Sequence, residues 1–338
     1  MTLTDLNAES AELSRALADA AGALTASGAT ADGTVVRPEA VLPPGVLSRL
    51  KRLTRPPEPG TGHRVVKGLF AAFGDQGPTA THWKDVDRTR TAALDLAIVL
   101  VAALQGAVFG WENQQDGHIV HNILPSPHHE DMQVGGSSTT ALTWHTEDAF
   151  HPDRADLLLL ACVRNPDGIG SGIAAVGDVD LPPRVVTALS RPHVVIHPDD
   201  SYQDERAGGR ASPGMATLWE RDGRPCLRYD PTYTRMLTGD AEFRLAYEEL
   251  GRRLDRASGV VPLERGDLLI VDNDAAVHGR GSFRARYDGT DRWLKRVLVR
   301  APRSRPVTER QEHGFGQRQI AQGRGAACGA FPEGRTAS

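Results

Sequence analysis

Short apolar segments, each followed by turn residues, repeat along most of the chain. Their residues are mainly aliphatic, β-branched or aromatic, and glycine, proline or aspartate separates one segment from the next. Many short strands with this punctuation are typical of a sandwich or barrel and not of alternating βαβ units. The segments that predict strands are HIVHNIL (118–124), ALTWH (141–145), DLLLLACV (156–163), PHVVIH (192–197), PCLRYD (225–230), DLLIVDN (267–273) and WLKRVLVR (293–300).

Helical patterns precede this β-rich region and interrupt it near its end. Residues 5–27 have apolar positions at helical spacing and predict an amphipathic helix. The proline-rich stretch 28–60 follows, with one short helix predicted near Val46–Leu53. RVVKGLFAAF (64–73) predicts a strand and its exit turn, and 240–255 predicts another helix. The pattern therefore predicts a mainly β fold with flanking helices.

The most apolar stretch of the chain is 92–111. Asp95 and Gln105 interrupt it and leave only Leu96–Leu104 as an unbroken apolar run. A helix that spans a membrane needs about 20 such residues. We therefore expect a buried helix that packs against a sheet.

Composition and charge narrow the possible partners. Hydrophobic residues make up 40% of the chain and charged residues 24%, as in globular proteins. Lys and Arg number 39 against 43 Asp and Glu, a net charge of −4, which gives no reason to expect a nucleic acid or a membrane as a partner. The three cysteines form no disulfide or zinc pattern and no secretory signal is visible, so we expect a cytoplasmic protein. The oligomeric state stays open.

The length of 338 residues allows one large domain or two of ordinary size. We expect a single domain over residues 1–303. Residues 304–338 are rich in Arg, Gln, Gly and Ala, so we expect a loosely ordered C-terminal tail there. The sequence contains no Walker A motif, no GxGxxG after a strand, no GxSxG and no HExxH. Their absence argues against the common nucleotide-binding, α/β-hydrolase and zincin classes.

The clearest chemistry lies in TWHTEDAFHP, which contains His145 and Glu147. On a strand, residues i and i+2 project from the same face, so an imidazole and a carboxylate are offered to one point. His278, just beyond the predicted strand 267–273, is the best candidate for a third ligand. Two histidines and a carboxylate with open positions form the facial triad of non-haem Fe(II) oxygenases. The alternative is a hydrogen-bonded core histidine beside a loop carboxylate, because an HxE pair alone is common.

Two arginines follow on a predicted strand, in RYDGTDRWLKRVLVR. Arg292, Leu294 and Arg296 share one face of that strand, and we expect the other face to be apolar. A buried guanidinium is costly unless it meets a carboxylate, which its planar fork binds with two hydrogen bonds. We therefore expect two sites for small anions beside the metal, one for a dicarboxylate co-substrate and one for an amino-acid carboxylate. The alternative is an edge strand with solvated arginines.

Several motifs, in order along the chain, resemble one family of enzymes. GWENQQDG, WHTEDAFHPDRAD, RNPDG, DNDAAVHGR and FRARYDGTDRWLKR are similar to segments of the clavaminate-synthase-like 2-oxoglutarate/Fe(II) oxygenases, and among them of the arginine and enduracididine β-hydroxylases of peptide-antibiotic biosynthesis. The resemblance runs from about Gly110 to Arg303. It implies a double-stranded β-helix, which is a jelly-roll core with flanking helices, in agreement with the strand pattern.

The resemblance also implies which ligand each residue of the site binds. It implies O2 as a further co-substrate, and it places a lid over the substrate at 199–214. His145, Glu147 and His278 would bind Fe(II), Arg292 and Ser171 would bind 2-oxoglutarate, and Arg296, Gln114 and Asp230 would bind the α-carboxylate, the amino-acid head and the basic end of the substrate.

The implied reaction is the hydroxylation of a free L-amino acid at C3 in secondary metabolism. Relatives that grip a guanidinium from both sides have a second aspartate where this sequence has Thr232, so basic or polar amino acids other than arginine stay open as substrates. Ser171-Gly172 stands where relatives tend to have two threonines. The alternatives are 4-hydroxylation or desaturation by the same class, a redox-silent metal-dependent jelly-roll hydrolase or isomerase, and a ligand-binding module without chemistry.

Overall fold

The computed structural model describes residues 3–58, 60–199, 201–202 and 213–323. Residues 200 and 203–212, which fall in the predicted lid, lie outside the described residues. Within the described ranges, no helix is long and apolar enough to cross a membrane.

Six α-helices surround the sheets in the described part of the chain, and those predicted at 5–27, 46–53 and 240–255 are among them. The side chain of Asp87 accepts hydrogen bonds from the amides of Thr89 and Arg90 and so begins the long buried helix. The helices are α1 (Leu3–Ala26), α2 (Pro38–Val41), α3 (Pro44–Leu53), α4 (Arg88–Ala103), α5 (Pro183–Leu189) and α6 (Ala241–Ala257).

The apolar stretch 92–111 is not a single helix. It is helical only as far as Ala103, and Ala107–Trp111 forms a strand. The chain turns at Gly106, where a Cβ would lie 2.1 Å from the carbonyl oxygen of Arg300, so only glycine fits this close backbone approach.

Fifteen strands are present among the described residues, and every predicted strand coincides with one of them. The strands are β1 (His63–Val66), β2 (Ala107–Trp111), β3 (His121–Ile123), β4 (Leu142–His145), β5 (Leu157–Arg164), β6 (Ser171–Ala175), β7 (Val194–Ile196), β8 (Leu218–Arg221), β9 (Arg224–Leu227), β10 (Thr234–Met236), β11 (Gly259–Val261), β12 (Leu268–Asp272), β13 (Ala276–Arg280), β14 (Trp293–Arg300) and β15 (Gln319–Ala321).

Two antiparallel sheets form the core. The larger has the strand order β1-β12-β5-β14-β2-β15, with β3 also paired to β14, and the smaller has the order β11-β6-β13-β4. Leu158 and Leu160 of β5 belong to one apolar cluster with Ile173 of the smaller sheet, while Leu157 and Leu159 join a second cluster with α1 and α4. Because β5 is buried on both faces, its sequence is a continuous apolar run and not an alternating one.

Strand β14 lies at the centre of the larger sheet, between β5 and β2, which excludes the alternative of an edge strand. Its outward face is not purely apolar, and that prediction was wrong. Lys295 is fully buried there, with its Nζ 2.7 Å from Asp95 Oδ1 and 2.9 Å from Asn122 Oδ1. Asp95 therefore interrupts the apolar helix α4 because its carboxylate neutralises the buried Lys295.

The prediction of a loosely ordered tail from residue 304 was wrong for residues 304–323. Strand β15 pairs with β2 in this segment. Glu309 lies 2.9 Å from the guanidinium of Arg154, and Glu312 lies 2.7 Å from that of Arg228. Charged contacts and one buried side chain, Phe315, hold this segment, so its composition was misleading. Residues 324–338 lie outside the described residues.

Candidate active site

Three side chains that the sequence singled out meet in the smaller sheet. His145 ends β4. His278 lies just past β12, as predicted, within the next strand β13, and the two histidines are cross-strand partners. Potential ligand atoms of His145, Glu147 and His278 all lie within 4.8 Å of one another. His278 Nε2 is 3.2 Å from Glu147 Oε2, and the two imidazole centroids are 4.2 Å apart. In the described part of the chain, this is the group whose histidine and carboxylate atoms converge as metal ligands do.

Neighbouring groups orient these ligands. His145 Nδ1 is 2.8 Å from the carbonyl oxygen of Thr143, which directs the other ring nitrogen to the cluster. The side chain of Asn273 accepts a 2.8 Å hydrogen bond from the amide of Glu147 and donates to its carbonyl oxygen at 3.0 Å. The sequence analysis did not identify Asn273, whose position just after the strand β12 was the available signal.

Electrostatics favour the protonation states that bind metal. Burial alone would raise the pKa of Glu147, but Arg296, followed by His278 and His145, lowers it below the usual range of a carboxyl. Burial, and then the proximity of His278, lowers the pKa of His145. An ionised carboxylate beside a neutral imidazole is the donor set that a divalent cation needs. These residues therefore fit a metal ion such as Fe(II).

Arg292 is a buried cation with no carboxylate partner among the described residues. Its guanidinium donates from Nη2 to Ser171 Oγ at 3.1 Å, and its Nε has no acceptor. Burial lowers the pKa of Arg292 to about 10. Because an uncompensated buried charge is costly, this guanidinium fits an anionic group in the cavity that it lines.

A second arginine, Arg280, lies at the same end of the cavity, and the sequence analysis missed it. It follows His278 by two residues in β13, so strand alternation places both on one face. Arg280 Nη2 donates to Ser137 O at 2.9 Å and to Ser137 Oγ at 2.7 Å. Burial, and then the charge of Arg292, lowers the pKa of Arg280 to about 10. Recognition of β13 as a strand was the signal that would have found it.

Arg296 and Gln114 lie together, beside the predicted metal ligands. Arg296 donates to Glu147 Oε1 from Nη1 and to Gln114 Oε1 from Nη2 at 2.8 Å. Arg296 Nη2 also lies 2.7 Å from Nδ1 of the fully buried His121. Burial, and then Arg296, lowers the pKa of His121 well below its usual value, so its ring is a neutral acceptor. His121 has no role in the sequence analysis.

Two carboxylates line another part of the cavity. Asp230 Oδ1 accepts hydrogen bonds from the amides of Thr232 at 3.0 Å and Tyr233 at 3.2 Å, and no described residue donates to Oδ2. Burial raises the pKa of Asp230 to about 6, and burial also raises the pKa of Asp199, which the sequence analysis missed. Asp199 accepts from the amide of Ser201 at 2.8 Å. The charge of Asp199 is a further cause of the raised pKa of Asp230, so a cation beside these two carboxyl groups would favour their ionised forms.

One cavity of about 270 Å³ joins all of these groups. Its lining includes every residue that the sequence analysis proposed for the site: His145, Glu147, His278, Arg292, Ser171, Gln114, Asp230 and Arg296. The metal cluster, the unpaired arginines and the acidic groups therefore belong to a single site.

The chain belongs to the family described as taurine catabolism dioxygenase TauD, TfdA family, whose model matches residues 84–298. It is 40% identical over 263 residues to an enduracididine beta-hydroxylase of Streptomyces hygroscopicus, which covers 71% of this chain and 76% of the relative. It is 35% identical over 283 residues to an L-ornithine/L-arginine 3-hydroxylase of Catenulispora acidiphila, which covers 76% of this chain and 81% of the relative. The predicted resemblance to amino-acid β-hydroxylases is confirmed.

Solved structures of the non-heme iron oxygenase OrfP are similar in fold. The complex of OrfP with Fe, succinate and (3S)-hydroxy-L-Arg has a TM-score of 0.72 and 35% identity, and covers 86% of this chain and 92% of OrfP. The complex with Fe and alpha-ketoglutaric acid has a TM-score of 0.71 and 37% identity, with 85% and 91% covered. The prediction of a jelly-roll oxygenase fold with flanking helices is thereby confirmed, as is the prediction that this chain is an enzyme of the dioxygenase class.

Proposed function

We propose that this protein is an Fe(II)- and 2-oxoglutarate-dependent dioxygenase that hydroxylates C3 of a free L-amino acid with a basic side chain. The observation that carries the proposal is a single cavity. It is lined by three convergent potential metal ligands, by an arginine without a carboxylate partner among the described residues and by a second arginine that is hydrogen-bonded to a glutamine. The relatives named as 3-hydroxylases and β-hydroxylases support the choice of C3.

In this proposal His145, Glu147 and His278 hold the metal. Iron(II), when bound with 2-oxoglutarate and O2, supplies the oxidising chemistry that replaces a C–H hydrogen of the amino acid by a hydroxyl group. Asn273 holds the backbone of Glu147 and Thr143 holds the ring of His145, so both ligands are oriented before the metal arrives.

Arg292 and Ser171 bind the far carboxylate of 2-oxoglutarate. The guanidinium is buried and lacks a carboxylate partner among the described residues, so the co-substrate completes an ion pair that the protein leaves open. A charge-assisted pair of this kind is stronger than a neutral hydrogen bond and also fixes orientation.

Arg296 and Gln114 bind the α-carboxylate and the amino-acid head, and Asp230 and Asp199 bind the basic end of the side chain. The protein contributes by positioning the substrate, because a displacement of the reacting group by about 1 Å can reduce the reaction rate on the order of 100-fold. Anchors at both ends of the substrate keep one C–H bond beside the metal cluster. This arrangement favours arginine, ornithine or a cyclic arginine derivative over neutral amino acids.

We also infer that the protein acts on a small molecule in the cytoplasm, within secondary metabolism, as a single catalytic domain. Residues 304–323 belong to that domain in our proposal, since Glu309 and Glu312 neutralise buried arginines of the core.

A screen of free L-amino acids by mass spectrometry tests the proposal. The purified protein is incubated with Fe(II), ascorbate, 2-oxoglutarate and arginine, ornithine, lysine or asparagine, with and without O2. We expect the gain of one oxygen by a basic amino acid, coupled to succinate and lost in Glu147→Ala. The loss of two hydrogens would indicate desaturation, a fragmentation pattern with oxygen at C4 would indicate 4-hydroxylation, and anaerobic turnover without 2-oxoglutarate would indicate a redox-silent metal enzyme.

A further inference from the structure

Two buried arginines without carboxylate partners among the described residues lie at one end of the cavity, and the proposed function uses only Arg292. Arg280 is 6% exposed and Arg292 is 8% exposed. The acceptors of Arg280 are the carbonyl oxygens of Ser137 and Gly281 and the hydroxyl of Ser137, all of them neutral. The guanidinium also lies 4.7 Å from the centroid of the Phe283 ring, so none of these partners neutralises its charge.

This lack of pairing is not general in the fold. Arg154 and Arg228 are fully buried as well, and each of them contacts a glutamate within 3 Å. Burial of a charge is costly unless a partner offsets it, and the cost grows when a second like charge is near. Arg280 and Arg292 line the same cavity, so the cost of burying each charge includes the presence of the other. An anion between or beside them would relieve both costs.

Strand pairing brings Arg280 to the hydroxyl that Arg292 contacts. In the antiparallel pair of β13 and β6, His278 lies across from Ile173 and Gly279 across from Gly172. Strand β6 begins at Ser171 and β13 ends at Arg280, so these are the residues that come next after that pair on the two strands, and Ser171 Oγ is 3.1 Å from Arg292 Nη2. Both guanidiniums therefore converge on the same end of β6.

The spacing along β13 suits a short dicarboxylate. Two residues of a strand advance by about 6.5 Å, which is the separation along β13 between the metal ligand His278 and Arg280. A five-carbon 2-oxo dicarboxylate whose keto end lies at the metal cluster spans about this length with its far carboxylate.

We propose that Arg280, together with Arg292, forms a doubly cationic end of the cavity that binds the far carboxylate of 2-oxoglutarate and excludes 2-oxo acids that lack one. The inference rests on the proposed function, because it assumes that 2-oxoglutarate is the co-substrate. Arg280 is a binding residue in this account and takes no part in the chemistry.

Calorimetric titration of the Zn²⁺-loaded protein tests the inference without turnover. The two ligands are 2-oxoglutarate and 2-oxopentanoate, which has the same chain length and no far carboxylate. We expect Arg280→Gln to weaken the binding of 2-oxoglutarate about 10- to 100-fold, as the loss of one charge-assisted contact does. The same variant leaves the binding of 2-oxopentanoate unchanged, and Arg280→Lys retains most of the affinity for 2-oxoglutarate.

Two controls separate charge from structure. Arg286→Gln removes an exposed arginine that is paired with Asp167 at 2.9 Å, and we expect no change in the binding of either acid. Ser137→Ala removes a contact of Arg280 but keeps its charge, so the affinity for 2-oxoglutarate should change by only a few fold.

Several outcomes would overturn the inference. Wild-type affinity for 2-oxoglutarate in Arg280→Gln would do so, as would an equal loss for both acids or a loss in Ser137→Ala as large as that in Arg280→Gln. If Arg280→Gln does not fold, a large loss of affinity in the charge-conserving Arg280→Lys counts against the inference in its place. A metal-loaded wild-type protein that binds no 2-oxoglutarate would instead refute the proposed function, and the inference with it.

Discussion

Glu147 and Arg296 form an ion pair inside the cavity, with the carboxylate Oε1 as the acceptor of the guanidinium Nη1. The same guanidinium donates to Gln114 at 2.8 Å, and the other oxygen of Glu147 faces His278 at 3.2 Å. A predicted metal ligand and a predicted substrate anchor are therefore directly bonded. An amino acid held by Arg296 lies beside the metal cluster without occupying it, which is the geometry that the proposed reaction needs.

Arg292 and Arg296 should serve different ligands. We expect Arg292→Gln to raise the dissociation constant of 2-oxoglutarate about 10- to 100-fold and to change that of the amino acid little, because one charge-assisted contact is lost. Arg296→Gln should show the opposite pattern. Calorimetric titration of both ligands into each Zn²⁺-loaded variant measures the four constants. Equal losses for both ligands in either variant would contradict the assignment of separate sites.

Metal addition should stabilise the protein through His145, Glu147 and His278. A ligand at about 100 times its dissociation constant adds about 2.7 kcal/mol to the free energy of unfolding. We expect Zn²⁺ or Co²⁺ to raise the melting temperature of the wild type and to have no such effect on Glu147→Ala. His128→Ala is the control, since its histidine lies outside the convergent cluster. An unchanged metal response in Glu147→Ala would show that the metal binds elsewhere.

Asp230 should set the preference for basic amino acids. Its half-buried carboxylate lines the cavity, and loss of the charge in Asp230→Asn removes about 1.5–3 kcal/mol of binding to a cationic side chain. We expect kcat/KM for arginine or ornithine to fall at least tenfold relative to that for asparagine. Thr232→Asp should shift the ranking the other way, toward guanidinium substrates. The same order of substrates in Asp230→Asn as in the wild type would make the assignment wrong.

The C-terminal segment should contribute to stability through Glu312. The side chains of Arg228 and Glu312 are 0% and 2% exposed, and Arg228 also donates to the carbonyl oxygen of Ala149 at 2.5 Å. Removal of one partner of a buried ion pair costs about 3–5 kcal/mol, because the other charge stays buried. We expect Glu312→Gln to lose that much free energy of unfolding in urea, whereas Glu112→Gln loses less than about 1 kcal/mol because its partner Arg318 is exposed. Similar losses in both variants would refute the structural role.

Acid should destabilise the protein in part through Asp274. Burial alone would raise the pKa of Asp274, but Arg305, Arg154 and Arg221 lower it below its usual value. The unfolded chain therefore takes up the proton more readily. The stabilisation is complete above about pH 5, begins to fall near the unfolded value of about 4, and is lost as the pH falls through the lower pKa of the folded state.

Urea unfolding of the metal-free protein measures this effect. We expect the difference in stability between the wild type and Asp274→Asn to be largest at pH 7 and to shrink as the pH falls toward 3. Asp153→Asn, at an exposed aspartate, should keep the acid dependence of the wild type. A difference between wild type and Asp274→Asn that is constant with pH would contradict the prediction.

The sequence was most informative where the pattern is local. Alternation within one segment predicted that His145 and Glu147 offer their groups to one point, and the spacing of Arg292 and Arg296 predicted two guanidiniums on one face. The same reasoning failed at Lys295, because the outer face of β14 was predicted to be apolar. The buried lysine on that face is neutralised by Asp95, which is distant in the sequence. It failed again at 304–323, where buried ion pairs replace an apolar pattern.

By itself the sequence determined the class of fold, most of the strands and eight of the residues that line the cavity. Strand periodicity acts over a few residues, and the order of the motifs resembles that of one family. Only the tertiary structure decided that His278 pairs with His145 across β13 and β4, that Asn273 holds the backbone of Glu147, and that Arg280 faces the same cavity. These relationships join segments that are far apart in the chain. These contacts depend on the register between strands and on the desolvation of charges inside the cavity. Both are set by the packing of the two sheets and cannot be derived from a single segment of sequence.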